Sequence, residues 1–281
     1  MWKFDNMKSG KRTYNFTTPA IISGATQKNH SAELRGASIR GALRWWFRLI
    51  AASEGDVRNL ESDIFGCAHP EPKASKLRVR ITEDNTKSEA IGDKYKRSLY
   101  ILWAMRNSFR EWLKPDGTFS LDFDLVRNTE RDARAVSLLK TALDAFGLFG
   151  TLGTASRKCM GSLQETKYSD MTMAQIVDLP IVHTLQKADN CEVFFSKKAF
   201  NTCDEGLSYF TEVLRGLNDK LRWHKRGANF GSRITWPFVA KVLKAKEGYF
   251  IAVCVFADLM PQKVAGDFAV LVRSLREAFN E

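Results

Sequence analysis

Five apolar residues, Ile39, Leu43, Trp46, Phe47 and Ile50, recur at spacings of three and four within ELRGASIRGALRWWFRLIAAS (33–53). That period predicts an amphipathic helix with one apolar face, which needs a partner layer to cover it. The neighbouring segments supply a different period. KRTYNFTTPAIIS (11–23) is rich in β-branched and aromatic residues and reads as a first strand, with Pro19 at an edge or bend. LRVRI (77–81) and TFSLDFDLV (118–126) alternate and read as strands, with Pro115-Asp116-Gly117 as the turn before the latter. Residues 95–113 fit either a helix or a strand. A second helix is predicted over 129–146, with Thr129 as its cap and Ala133, Val136, Leu139, Leu143 and Phe146 on one face.

GLFGTLGTASRKCMGSL (147–163) is too glycine-rich for helix or regular strand and reads as a shaped loop. A short strand over 162–168 closes the unit. The order strand, helix, strand, strand, helix, strand is the ferredoxin-like (RRM-like, βαββαβ) arrangement, with an insertion between its second and third strands. Residues 171–281 read as a second unit: a strand at Cys191–Phe195, a helix over 206–223, a hairpin turning at Glu247-Gly248 and a final helix over 268–279. The expected fold is therefore α+β, as two tightly packed ferredoxin-like domains, 1–170 and 171–281. No low-complexity linker separates them.

Lysine and arginine number 43 against 32 acidic residues, a net charge of +11. Such a surplus favours an anionic partner. No apolar run reaches the roughly 18 residues of a membrane span, and the first 20 residues lack a signal peptide's apolar centre, so a cytoplasmic protein without a membrane partner is expected. Five scattered cysteines with no C-x-x-C pair give neither a disulfide framework nor a zinc site, and Cys67 and His69 lack a second ligand pair. No metal and no cofactor is expected.

Three features carry chemistry. Arg40, Arg44 and Arg48 stack on one helix flank within about 80° of arc, with Arg35 near the helix start. Arginine suits bidentate phosphate contact; the other reading is a solvated face or ion pairs to Glu54, Asp56 and Glu61. In the glycine loop, Gly147, Gly150, Gly153 and Gly161 surround Ser156, Arg157 and Lys158. It has the character of a phosphate cradle, but its spacing is neither a P-loop nor a dinucleotide fingerprint; a plain connection is the alternative. LRWHKRGANFGSRITW (221–236) interleaves Arg222, Lys225, Arg226 and Arg233 with aromatics, a pattern on which bases stack, or equally a basic helix end and loop. His30, in the loop before the first helix, is the candidate acid or base if RNA is cut, and otherwise a surface histidine. Asp122 and Asp124 share a strand face and read as solvated carboxylates rather than a metal pair.

Thr18-Pro19, Ile21 to Ala25, Glu33-Leu34-Arg35 and Ser38 to Arg48 resemble the N-terminal motif of the RAMP superfamily, and within it the first-subunit family of the type III-B CRISPR effector, the Cmr complex. Glu61 to Gly66 with Ser75-Lys76-Leu77 is similar to that family's next block. Gly150 to Gly161 resembles the RAMP glycine-rich loop, departing from it at Cys159-Met160. The resemblance implies two ferredoxin-like domains and a noncatalytic RNA-binding subunit of an antiviral ribonucleoprotein. It implies single-stranded RNA (CRISPR RNA near its 3′ end, and target RNA) and other Cmr-complex subunits as partners. Lys28, Arg35, Arg40, Arg44, Arg157, Lys158, Arg226 and Arg233 are the expected RNA contacts, and no residue is assigned to catalysis. The alternative is a metal-independent endoribonuclease that processes CRISPR RNA with His30.

Overall fold

A computed structural model describes residues 9–22, 31–90, 111–125, 133–188, 190–222, 236–260 and 262–280. In chain order its elements are β1 (Ser9–Phe16), α1 (Gly36–Ile50), α2 (Val57–Phe65), β2 (Leu77–Asp84), β3 (Ser88–Ala90), β4 (Glu111–Leu113), β5 (Thr118–Leu125), α3 (Ala133–Phe149) and β6 (Leu163–Glu165). There follow α4 (Met173–Val177), α5 (Pro180–Lys187), β7 (Cys191–Phe195), α6 (Cys203–Leu221), β8 (Phe238–Ala245), β9 (Gly248–Phe256) and α7 (Phe268–Asn280). The first sheet has the order β2-β5-β1-β6 and the second β7-β9-β8, with every neighbouring pair antiparallel. A two-stranded ribbon, β3-β4, stands apart.

The period-3.6 face of α1 is buried as its spacing demands: Ile39, Leu43, Trp46 and Phe47 lie in the main core with Tyr14, Phe16, Phe119 and Leu121 from β1 and β5. Two charged side chains, Arg12 of β1 and Glu165 of β6, share that inner sheet face. Arg12 is buried and bonds Asp144 on α3 (2.8 Å) and Glu165 on β6 (3.1 Å), so the charge is paired where it is desolvated. The second sheet is covered on both faces. Val239, Leu243, Ala252 and Cys254 face the main core, while Phe238, Val242, Ile251 and Val253 pack under α6 and α7. The core of the N-terminal segment therefore runs on into the C-terminal one across residue 170.

Most elements lie where their periodicities put them, with three departures. The chain from Gly147 to Phe149, assigned by its glycines to the loop, forms the last turn of α3. Gly147 leaves room for the Glu165 side chain of β6: a Cβ would lie 2.9 Å from its Oε2. The start expected for this helix at Thr129, and most of the ambiguous stretch 95–113, lie outside the described residues; its end, 111–113, is strand β4. The helices α2, α4 and α5 are additions to the sequence reading, and α6 begins three residues early, at Cys203, because Thr202 Oγ1 accepts from Glu205 N (3.2 Å).

The two sheets meet edge to edge, β6 against β8, and side chains replace the usual backbone ladder there. The Gln164 amide copies a peptide group, with Oε1 accepting from Lys244 N (2.9 Å) and Nε2 donating to Lys244 O (2.7 Å). Ser162 Oγ accepts from Val242 N (3.1 Å), and Thr17 Oγ1 donates to Val242 O (2.5 Å). Between them Lys241, 1 % exposed, donates to Leu148 O (2.7 Å), at the end of α3, and to Leu163 O. Burial pushes the Lys241 amine down to about 7, against smaller opposing influences of Cys254 and Cys159. A neutral amine has two N–H donors, and two carbonyls receive them.

This sets a pH dependence. Between about pH 7 and the ordinary lysine range near 10.5, the unfolded chain holds a proton on Lys241 that the folded chain does not. Stability contributed by this group therefore rises with pH across that window, by at most about 1.4 kcal/mol per pH unit. Thermal unfolding at pH 7, 8, 9 and 10 should show wild type gaining on Lys241→Met. A constant gap between the two would contradict the assignment.

Candidate nucleic-acid interface

Helix α1 turns its apolar side to the core and leaves an outer face bounded by cations on both flanks. At 100° per residue, Gly41 lies about 20° beyond Arg48 and Trp45 about 40° beyond Gly41. Arg40, Ala37 and Gly41 are exposed, and a Cβ on Gly41 would meet nothing within 4 Å. One flank is the arginine row. The other is Trp45, whose ring carries the Arg157 guanidinium 5.4 Å from its centroid.

The row divides by partner. Arg40 makes no ion pair among the described residues. Arg44 and Arg48 converge on Glu61 of α2, which is 5 % exposed: Arg44 Nε donates to Oε1, and Arg48 donates to Oε2 (2.6 Å) and Oε1 (2.8 Å). Arg44 also reaches Gly66 O (3.3 Å). Burial raises the Glu61 carboxyl, but the hydrogen bonds from Arg48 and Arg44 outweigh it and hold the group below its usual range. The ion-pair reading of the row thus holds for two arginines through Glu61. Their side chains still keep 37 % and 54 % of their surface in solvent, and with Arg58, His69 and Lys73 they line an open cleft of about 350 Å³.

Arg157 is held from three sides. Beyond Trp45, its Nη1 donates to Trp236 O (3.4 Å), and its own carbonyl accepts from Ala240 N of β8 (3.0 Å). Burial pulls its pKa below the ordinary value. Trp45, the residue left off the helix's apolar face, packs edge-on against Phe256 of β9 (5.9 Å, 87°). The glycine loop has less free backbone than a phosphate cradle needs. Thr154 N, Cys159 N and Gly161 N donate to Ile21 O, Ala240 O and Pro19 O (2.7–2.8 Å). Its glycines serve close chain crossing: with φ at +88° and +61°, a Cβ on Gly153 would lie 2.3 Å from Ile21 O, and one on Gly161 1.9 Å from Leu152 O. What the loop offers to solvent is the short arc from Gly153 to Lys158, with Lys158 paired alongside Ala240.

Arg35 precedes α1, its carbonyl accepting from Ser38 N and Ile39 N (3.0 and 3.2 Å). Arg35, Arg40, Arg44, Arg157 and Lys158 are thus placed on α1 and the adjoining loop. Lys28, His30, His224, Arg226 and Arg233 lie outside the described residues. The outer face of the first sheet is mixed in charge: Lys11 and Arg80 flank Asp122, Arg80 bonds Asp124, and Thr13 Oγ1 meets Ser120 Oγ (3.0 Å). Among the described residues no group of three acidic, histidine or cysteine side chains is placed to hold a metal, and no helix is long and apolar enough to cross a membrane. Sequence reasoning named Glu61 as a possible ion-pair partner of the row but missed the helix that carries it, α2, although Val57, Leu60, Ile64 and Phe65 have helical spacing. It also overlooked the Trp45–Arg157 contact, which joins residues 112 positions apart and has no local signal.

Two antiparallel sheets joined at a seam, a glycine-rich loop crossing that seam, and a cationic helix beside the loop define a basic α+β protein with a built cationic face among the described residues. The profile of the RAMP superfamily matches residues 13–164, more than half of the chain, and the chain belongs to that superfamily. It is 23 % identical over 156 residues to CRISPR system Cmr subunit Cmr1-1 of Pyrococcus furiosus; the match takes in 51 % of this chain and 44 % of that relative, so it spans under half of the relative's length. The fold is similar to the crystal structure of Cmr1 from Pyrococcus furiosus in its apo form (TM-score 0.63, 16 % identity, 89 % of this chain and 88 % of that one). It is also similar to a chain of the Type III-B Cmr-beta complex bound to cognate target RNA (TM-score 0.59, 11 % identity, 94 % and 99 %).

The division within the row is measurable. Arg44→Ala leaves buried Glu61 to Arg48 alone and should lower stability by about 1 kcal/mol, a value already reduced for the exposure of Arg44. Arg40→Ala should stay within about 0.5 kcal/mol of wild type. Denaturant midpoints at constant m-value report both; equal losses would contradict the division.

Proposed function

We propose that this chain is a noncatalytic RNA-binding subunit of a type III-B CRISPR (Cmr) ribonucleoprotein, contacting the 3′ region of CRISPR RNA, the target RNA, or both. The observation that carries the reading is the outer face of α1, a strip in which Gly41 lies open between a row of three guanidiniums on one flank and the Arg157 guanidinium over Trp45 on the other. Arg40, Arg44 and Arg48 stand on one side and Arg157 on the other. A phosphate backbone laid along such a strip gains charge from two sides and meets little steric obstruction. Contacts of this type position a nucleic acid without reading its bases. The same architecture is proposed as two ferredoxin-like units. The first sheet, β2-β5-β1-β6, has the strand order of a split βαβ pair; the second, β7-β9-β8, has that order with its outermost strand absent from the described residues. The relatives of known structure support the subunit reading through their fold.

End-labelled single-stranded RNA, titrated with protein in the presence of chelator and divided between native and denaturing gels, tests the proposal. A retarded band with full-length RNA is expected. Arg40→Ala and Arg157→Gln should each weaken binding, and each should flatten the log–log salt slope by about 0.7 if it removes one phosphate contact on a single strand. Affinity unchanged in both folded variants would remove α1 as the interface. Shortened RNA would overturn the noncatalytic assignment.

A further inference from the structure

The two main sheets present four outer edges, and three are protected. The β6 and β8 edges close on each other through Gln164, Ser162 and Thr17. The β2 edge is blunted in the usual manner: its pairing with β5 shifts register between Ile81 and Glu83, and Arg78, Arg80, Glu83 and Asp84 project from it in exposed positions. The fourth edge, β7, is five residues long, carries one charged side chain, Glu192, and neither closes on another strand of the described residues nor shifts register. Its sequence, CEVFF, pairs with β9 in unbroken register, and it contains no proline, lysine or bulge.

The ladder parity fixes which backbone groups of β7 look outward. Ala257 N donates to Asn190 O (2.8 Å) and Ser196 N to Ile251 O (2.9 Å), so even-numbered residues form the hydrogen-bonded pairs with β9. Cys191, Val193 and Phe195 therefore point their N–H and C=O away from the sheet. Cys191 N turns back to Ala188 O (3.0 Å); the outward groups of Val193 and Phe195 have no backbone partner among the described residues. They sit beside a groove of about 400 Å³ lined by Gln186, Lys187 and Glu192 as well as Ala188, Val193 and Phe268. Glu192 is engaged by Arg276 of α7 (3.5 Å), while Lys187 is exposed and makes no ion pair among the described residues.

We propose that the β7 edge and this groove receive an extended segment of another protein chain, added to the sheet as a further strand. The segment would place an apolar side chain over Val193 and Phe268 and a carboxylate against Lys187. Donors and acceptors alternating two residues apart, about 6.8 Å along a strand, match a polypeptide backbone. The phosphates of an RNA chain offer acceptors alone, and its 2′-hydroxyls do not repeat the paired donor and acceptor that every second peptide unit presents. A second copy of this chain carries the same +11 charge, which opposes close pairing. The proposal is independent of the RNA-binding reading, since it uses none of the α1 residues.

Backbone-amide hydrogen exchange on the whole chain tests it, with an acetylated hexapeptide of alternating valine and glutamate as probe. In the free protein, Val193 and Phe195 amides should exchange fast and those of Glu192 and Phe194 slowly. Millimolar peptide should slow Val193 and Phe195 by at least about tenfold, the mark of roughly 1.4 kcal/mol of protection. Val193→Pro removes an outward N–H that the β9 ladder does not use, so the fold should survive while the protection of Phe195 is lost. The same peptide with its bonding amides N-methylated should also fail, and it decides the matter if the proline variant does not fold. Four results would overturn the proposal: slow exchange at Val193 in the free protein, no slowing with peptide, equal slowing by the N-methylated peptide, or the same protection produced by single-stranded RNA or by self-association.

Discussion

A buried lysine holds the two halves of this structure in register. Lys241 leaves β8 and gives its protons to the carbonyls of Leu148 and Leu163, which end α3 and begin β6. A helix C-terminus leaves carbonyls without intrahelical partners, and a buried end needs them met. Here the partner is supplied by a strand nearly a hundred residues downstream. Gln164, Ser162 and Thr17 complete the seam, so the sheets are joined by polar groups that each have a geometric requirement. An apolar seam would tolerate sliding; this one admits a single alignment.

The cationic face depends on that alignment. Arg157 reaches Trp45 because the glycine loop is threaded between the Pro19–Ile22 segment and β8, and Trp45 is itself propped by Phe256. Three chain segments thus set the position of one guanidinium. On the other flank, Glu61 does similar work for Arg44 and Arg48. A buried carboxylate holding two arginines lowers the entropy they lose on meeting an anion, and their partial exposure leaves donor capacity for it. Ion pairing and phosphate recognition are compatible roles for the same side chains.

Much of this was legible locally. The α1 face, the alternation of β2 and β5, the hairpin at Gly248 and the final helix follow from periods of 3.6 and 2 and from turn residues. The arginine row was legible too, because spacing alone puts four-apart residues together. The glycine loop was visible as irregular, but not what its glycines do: the demand at Gly153 and Gly161 comes from the carbonyls of Ile21 and Leu152, and the first of these lies far away in sequence. Gly147 shows the same limit in reverse, since a glycine usually marks a break and here sits in the last turn of a helix, against the Glu165 side chain. Lys241 carried a faint signal, a single charge in the apolar run FVAKVL, with nothing local to say which carbonyls it would meet.

The seam also bears on how the chain is made. Leu163 is synthesised 78 residues before Lys241. At ordinary elongation rates the nascent N-terminal half spends on the order of 4–16 s without the strand that completes it. During that interval the end of α3 and the flank of β6 expose two carbonyls and an uncovered apolar margin. The first half is then a waiting intermediate, and a ribosome pausing between β6 and β8 would lengthen the period in which it can associate wrongly or attract a chaperone.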